Sequence, residues 1–450
     1  MKAKTKNSLS LFALTWPIFI EILLHMLMGN ADTLMLSQYS DDSVAAVGVA
    51  NQIISIVIVM FGFVATGSSI VIAQLLGAEE ELQARQVVVT SLSVNLLFGA
   101  VLSLVMLFFS ESLLSVMNLP DQLMIYAVPY LQLVGGFSFV QALLMTIGAS
   151  IRCYGFTKDA MYVTIGINIL NVLGNYLFIF GPFGFPVLGV TGVAISTSVS
   201  RTIGVIIIAF LLLKRIDGQL PIDLFFRPVK KHIKSILKIG IPSAGEHLSY
   251  NTSQMAIMYF ITMLGTEAIT TKVYTQNIMM FIFLFSVSLG QGTQILIGHL
   301  VGAREVSKAY KACLRSLRYA MIISFMMAGV VSIFSVQLLG IFTDNPEILS
   351  LGSSLLLLTL ILEPGRSFNL VVISSLRAAG DVRFPVYIGI LSMWGISVPL
   401  SYILGIPFGY GLIGVWVAFC VDEWLRGLLM LWRWRSRVWE RMIFVENRAG

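Results

Sequence analysis

The sequence predicts an all-α integral membrane protein with twelve transmembrane helices in two parallel six-helix repeats around a central cleft. Three observations predict it. Of 450 residues, 57% are hydrophobic and only 12% charged, with a mean hydropathy of +0.88, whereas a soluble domain is about 25% charged. That is roughly 256 apolar residues, which at about 20 per crossing helix supply a dozen spans. Twelve apolar runs bounded by charged or Gly/Pro-rich breaks fall along the chain. Finally, the sequence aligns with itself without gaps at an offset of 225 residues, half its length.

The first run, 11–36, follows a basic start, Met-Lys-Ala-Lys-Thr-Lys. That start resembles a signal peptide, but the apolar run is too long and no small-residue cleavage site follows. It reads as a retained first span. Pro17 removes one backbone hydrogen bond inside it, giving a bend that is either fixed or part of a movement. Runs near 46–75, 88–109, 124–150, 161–181 and 187–213 complete the first lobe. The basic segment 214–236 is a cytoplasmic linker. The second lobe has runs near 237–263, 274–300, 319–341, 350–376, 386–405 and 412–432, with Pro242 standing where Pro17 stands in the first. The lobes are therefore 1–213 and 237–450.

Twelve spans put both termini on one side, and the distribution of Lys and Arg says which. With the termini cytoplasmic, 25 of 29 basic residues fall in cytoplasmic segments, Arg201, Arg366 and Arg426 fall within spans, and only Lys272 lies outside. The outer loops are acidic instead, carrying Asp41, Asp42, Glu111, Asp121, Glu267, Asp344 and Glu347. The expected location is the cell membrane, as a multi-pass protein with both termini cytoplasmic.

The repeat rests on uncommon residues. Pro17 meets Pro242, and Glu21 meets Glu246. The stretch Gly67-Ser-Ser-Ile-Val-Ile-Ala-Gln-Leu-Leu-Gly77-Ala-Glu-Glu80 lies on Gly292-Thr-Gln-Ile-Leu-Ile-Gly-His-Leu-Val-Gly302-Ala-Arg-Glu305. Ser150-Ile-Arg152-Cys-Tyr-Gly155 lies on Ser375-Leu-Arg377-Ala-Ala-Gly380, and Arg201 meets Arg426. An even number of helices per copy gives both copies the same orientation. A parallel repeat of this kind points to a transporter with its substrate site between two lobes.

Composition also sets aside other classes. The net charge of +6 marks cytoplasmic loops here, so nucleic acid is not an expected partner. Cys153, Cys313 and Cys420 have neither metal-binding nor disulfide-scaffold spacing and read as thiols. Only His25, His232, His247 and His299 occur, and no HExxH or GxSxG motif is present, so no enzyme is expected and no metal site or cofactor is assigned. His25 and His247 are candidates for cavity contacts; His232 reads as a solvated loop residue.

The duplication, Gly29-Asn-Ala-Asp32-Thr in the first span, Gln74-Leu-Leu-Gly77-Ala after the second, and Leu376-Arg377-Ala-Ala-Gly380-Asp381 after the tenth together resemble the multidrug and toxic-compound extrusion (MATE) family, over nearly the whole chain. The resemblance implies a secondary active antiporter. In such a protein inward proton or sodium flow drives out small amphipathic cations through a V-shaped cleft, and a monomer among membrane lipids is expected. A lipid-linked oligosaccharide flippase of the same broad superfamily is the alternative. It would require a cleft rich in arginine.

Ionisable groups inside spans mark pathways or partners. Asp32 lies well inside the first span, and Glu21, His25 and Asp32 form a polar stripe roughly 16 Å long at 1.5 Å per residue. They either relay protons inward from Asp32, or Asp32 acts alone while Glu21 and His25 face a wet cavity. Asn168, Asn171 and Asn175 recur at helical spacing in the fifth span. The resemblance places Asn171 and Asn175 opposite Asp32, with Thr197 as a neighbour. Asn175 stands where some relatives carry Asp, which favours a proton over sodium as the coupling ion. Interhelical hydrogen bonding is the other reading of these asparagines.

The second lobe departs further from the family. Tyr250 and Arg366 stand where the resemblance would put sodium-binding acids, and Glu246 and Glu363 lie one turn earlier. Glu246, Glu363 and Arg366 are expected to form a buried charge cluster, a structural lock or a site of competition with substrate, since a guanidinium cannot lose its proton and repels a metal cation. Glu363-Pro364-Gly365-Arg366 suggests an interrupted helix. Asp381 is expected to cap a helix or pair with Arg377 or Arg383, and Asp422 to pair with Arg426 at i,i+4. Methionines such as Met26, Met28, Met255, Met258, Met279 and Met280 suit adaptable apolar binding or plain packing.

Overall fold

The computed structural model describes residues 9–216 and 218–444; the basic residues 2, 4, 6 and 448 counted toward the cytoplasm lie outside them. The first repeat contains α1 (Leu11–Ser37), α2 (Asp41–Gly77), α3 (Glu81–Phe108), the short α4 (Ser110–Val116), α5 (Asp121–Tyr130) continued through a π-helical turn into α6 (Ser138–Cys153), α7 (Thr157–Phe180) and α8 (Gly189–Arg215). The second contains α9 (Lys230–Thr262), α10 (Thr266–Gly302), α11 (Val306–Ile333), the short α12 (Ser335–Gly340), α13 (Pro346–Ala378), α14 (Arg383–Ser392) continued through a π-helical turn into α15 (Val398–Gly405), and α16 (Gly411–Arg435). No strand occurs among the described residues.

Shifted by 225, α2 and α3 land residue for residue on α10 and α11, and 121–153 lands on α13. The backbone repeats down to single dihedrals. Glu79 and Arg304, at matching turns, have φ of 60° and 59°, and Gly155 and Gly380 have 84° and 100°. These turns follow the second and fourth spans of each repeat, where the chain reverses in a few residues and one residue must adopt the left-handed region.

Among the described residues nine helices are long and apolar enough to cross a membrane, and the bent pair α5–α6 makes ten. The remaining two of the twelve are α9 and α16. In α9 the polar run around Glu246, including His247, Asn251 and Gln254, lowers the apolarity, and in α16 the mid-helix charges Asp422, Glu423 and Arg426 do so. Pro364 does not interrupt its span: α13 runs continuously through it. Gly365 instead gives room for Trp424, whose Nε1 donates to the Ile361 carbonyl at 2.8 Å, in the turn where the proline lacks a donor.

The described chain divides into two compact units: Leu9 with Ile20–Gly240, and Ser10–Phe19 with residues 241–444. The division departs from lobes of 1–213 and 237–450 in an ordered way. The start of α1 packs with the second unit and the start of α9 with the first, and the changeovers lie beside Pro17 and Pro242.

In the first unit an apolar core including Leu36, Ile54, Phe61, Met106, Leu131 and Val193 joins α1, α2, α3, α8 and the α5–α6 span. Buried Asn95 on α3 reaches Thr146 Oγ1 on α6 at 2.7 Å. Gly174 lies so close to α8 that a Cβ there would meet Ser196 Oγ at 2.2 Å, the close approach that small residues permit between membrane helices. The linker is tied to α3, with Arg85 donating to the Gln219 carbonyl at 3.2 Å and Ser93 to the Phe225 carbonyl at 2.7 Å. His232, expected in solvent, is buried beside Gln86 at 3.2 Å, because the linker folds back on α3.

The second unit has its own core, including Ile257, Ile278, Leu339, Leu355, Leu362 and Trp416. Ser286 and Ser367 share a 2.5 Å hydrogen bond between α10 and α13. After α16, Trp439 stacks on Trp434 at 4.2 Å and closes the end of the chain. Cys153, Cys313 and Cys420 are buried thiols.

Candidate coupling site and buried charge cluster

In the first unit three helices bring polar side chains to one place. Residues 168, 171 and 175 follow helical spacing and so share a face of α7. Asn175 Nδ2 donates to Asp32 Oδ1 of α1 at 2.6 Å and reaches Asn171 Oδ1 at 3.2 Å; Asn171 Nδ2 donates to Thr197 Oγ1 of α8 at 3.0 Å. Asn171, Asn175 and Thr197 are buried. The four residues read together from the sequence thus form one chain of hydrogen bonds. Asn168 Nδ2 donates to the Leu24 carbonyl at 3.0 Å and fixes α7 against α1.

Arg201, half-buried one turn beyond Thr197, acts electrostatically on Asp32 and on Tyr130, and the Tyr130 hydroxyl donates to Asn51 Oδ1 at 3.2 Å. Arg201, Tyr130 and Asn51 are absent from the sequence-derived site. Only the alignment of Arg201 with Arg426 marked any of them.

The stripe of Glu21, His25 and Asp32 is not one chain of direct contacts. Among the described residues no hydrogen bond joins Glu21, His25 and Asp32. Glu21 is instead held by Arg152 of α6 at 2.7 Å, and His25 is exposed. Glu246 is likewise absent from the Glu363–Arg366 cluster, because Arg377 of α13 pairs with it. The two pairs are the same pair repeated, since Glu21 and Arg152 plus 225 give Glu246 and Arg377. Each ties the first helix of a unit to the fourth.

The charge cluster of the second unit is larger than expected and is built from α13 and α16. Arg366 donates to the fully buried Glu363 at 2.7 Å and lies 3.8 Å from Glu423. Arg426 holds Asp422 at 2.7 Å and Glu423 at 3.0 Å. Asn369 donates to Glu423 at 2.9 Å, and Ser392 donates to Asp422. The expected Glu363–Arg366 and Asp422–Arg426 contacts are both present, and Glu423 joins them into one network. Asp381 neither caps a helix nor pairs with Arg377 or Arg383: Arg433, in the last turn of α16, takes it at 2.7 Å.

The two units use corresponding places differently. Position 197 of the first, a threonine, is 422 of the second, an aspartate, and Arg201 matches Arg426. Asp32 corresponds to Ile257, which is fully buried in apolar core. Chemically, the first site offers a single carboxylate with an amide donor and a nearby guanidinium, suited to gaining and losing one proton. The second offers three carboxylates held by two guanidiniums.

The sequence profile of the MatE family matches residues 17–177 and 242–403, two stretches whose starts differ by the same 225. The uncharacterized transporter YisQ of Bacillus subtilis (strain 168) is 54% identical over 98% of this chain and 96% of its own length. A probable multidrug resistance protein NorM of Thermotoga maritima is 26% identical over 96% of this chain and 93% of its own length. Among solved structures, a MATE protein in a bent conformation superposes with a TM-score of 0.87 at 23% identity, covering 95% of this chain and 94% of that one. An outward-facing multidrug resistance MATE transporter gives 0.85 at 23% identity, covering 95% of each chain. With its duplicated helices matched in both halves, the chain belongs to the multidrug and toxic-compound extrusion family of membrane transporters, and not to a class of enzymes.

Proposed function

We propose that the protein is a proton-coupled efflux antiporter of the cell membrane, with both termini cytoplasmic, that exports small amphipathic cations by alternating access between its two six-helix units. The carrying observation is the state of the acids inside the spans of the first unit. Glu21 is neutralised by Arg152 at 2.7 Å, whereas Asp32 is hydrogen-bonded to an amide, that of Asn175 at 2.6 Å. The first acid has a guanidinium as its counter-charge, whereas the hydrogen-bond donor to the second is a neutral amide.

Asn175 Oδ1 is buried without a hydrogen-bond partner. Protonation of Asp32 creates a new O–H donor, and a turn of the Asn175 amide would present Oδ1 to it. The amide therefore serves either state, donating to the carboxylate or accepting from the acid. Asn171 accepts from Asn175 and donates to Thr197, which holds Asn175 in reach of Asp32.

The flippase alternative needs free cations for a pyrophosphate. In these units Arg152, Arg366, Arg377 and Arg426 are each engaged by carboxylates, and Arg201 acts on Asp32. That favours a cationic cargo.

The test uses protein in phosphatidylcholine vesicles with a fluorescent amphipathic cation inside. An imposed pH gradient should drive efflux, and a sodium gradient alone should not. Asp32→Asn should abolish both efflux and the proton movement that accompanies it. Strong efflux on sodium alone, or intact coupling in the variant, would overturn the proposal.

A further inference from the structure

The repeat brings together two helices that began alike and now present opposite chemistry. On α3, Gln83, Gln86, Thr90 and Ser93 are half-buried or buried, and the linker packs over that face through Ser93 and the Phe225 carbonyl and through Gln86 and His232. At the matching places α11 carries Lys308, Lys311, Arg315 and Arg318, all exposed. Among the described residues Lys308 pairs with Glu305 at 2.7 Å, while no acid lies in ion-pair reach of Lys311, Arg315 or Arg318. Where α3 has a neutral face covered by protein, α11 has a fourfold cationic face that no described residue covers.

These four residues run about 15 Å along the helix and, at 100° per residue, share an arc of about 80°. The same face continues without a break into exposed Tyr319, Ile322, Phe325 and Met326. Cations, then a tyrosine, then an apolar band is the order met on passing from the headgroups through the interface into the acyl chains. We propose that the start of α11 is a binding site for anionic phospholipid, with the headgroup phosphates on Lys311, Arg315 and Arg318 and the acyl chains along Ile322, Phe325 and Met326. Charge complementarity selects an anion, and the continuous apolar face selects one that carries acyl chains. Arginine favours phosphate because its planar fork can donate twice to it.

The test measures the immobilised fraction of spin-labelled phosphatidylglycerol and phosphatidylcholine around the full chain in nanodiscs. The wild type should prefer phosphatidylglycerol. The variant K308Q/K311Q/R315T/R318S, which restores the residues of α3, should bind it at least about tenfold more weakly. A control that removes equal charge from the linker, K214Q/R227Q/K230Q/K234Q, should keep the preference. Should the fourfold variant lose its fold, R315T and R318S singly should each give a smaller fall of the same sign. The proposal is overturned if the wild type shows no preference, if the linker control loses it equally, or if inorganic phosphate alone displaces the lipid. It is also overturned if the variant differs instead by losing self-association, since the face would then join copies of the chain.

Discussion

Replacing Arg426 by methionine probes the charge network of the second unit at its centre. The guanidinium lies 2.7 Å from Asp422 and 3.0 Å from Glu423 and is buried with them. Its attraction for each is about 4 kcal/mol at a charge separation near 4 Å and an effective dielectric of about 20, much of it offset by the desolvation of all three groups. Removing one partner of a buried pair costs about 3–5 kcal/mol. Ser392, Asn369 and Arg366 remain on the orphaned acids, which points to the lower end, about 3 kcal/mol. The cluster holds three carboxylates against two guanidiniums. Arg426→Met raises the excess negative charge from one to two, and D422N/R426M returns it to one. The double variant should therefore recover to within about 1 kcal/mol of the wild type. Reversible denaturant titration in mixed micelles measures both. A cost below about 1 kcal/mol, or a double variant as unstable as the single, would refute the reasoning.

Two further predictions use the repeat as an internal control. The Glu21–Arg152 and Glu246–Arg377 pairs are almost equally shielded, with side-chain exposures of 17% and 13% against 16% and 12%. Arg152→Met and Arg377→Met should therefore each cost about 2–3 kcal/mol, with the reversed pairs E21R/R152E and E246R/R377E recovering part of it in thermal melts. A large effect in one unit alone would show that the pairs are not equivalent. Gly380→Ala should cost more than Gly155→Ala: both have positive φ, but the new Cβ meets the Met442 carbonyl at 2.1 Å in the first case and the end of the Leu9 side chain at 3.1 Å in the second. Strain alone is worth about 1 kcal/mol, and the backbone clash should at least double it, as a lowered melting temperature.

Much of this was legible in the sequence because periodicity and repetition are one-dimensional. The runs of apolar residues located the spans, and the 225-residue offset anticipated helices that match residue for residue. Asp32, Asn171, Asn175 and Thr197 were legible as a group through the family resemblance. What escaped were partners brought together across helices. Glu246 was read with Glu363 because each lies one turn before a place where the resemblance would put an acid, yet its partner Arg377 is 131 residues away. A signal for it did exist: Glu21, Glu246, Arg152 and Arg377 all repeat at one offset, and two repeated opposite charges are best explained by contact. Glu423 and Asn369 carried no such mark, because no spacing rule links α13 to α16. Tyr130 and Asn51 were hidden because a lone tyrosine or asparagine in a span is unremarkable until its neighbour is known.

The changeover of each first helix beside its proline bears on where the protein came from. Residues 10–19 pack with the second unit and 230–240 with the first. A chain of one repeat would thus carry a helix start with no seat in its own body and leave a seat empty for another's. Two identical copies would satisfy each other by exchanging these starts, a reciprocal swap of the kind that makes symmetric dimers. Fusion of two such genes would preserve the swap while freeing each half to diverge, so that position 32 is an aspartate in one and its counterpart 257 an isoleucine in the other. The halves of the present chain, split at the linker, should accordingly be stable when produced together and not when produced apart.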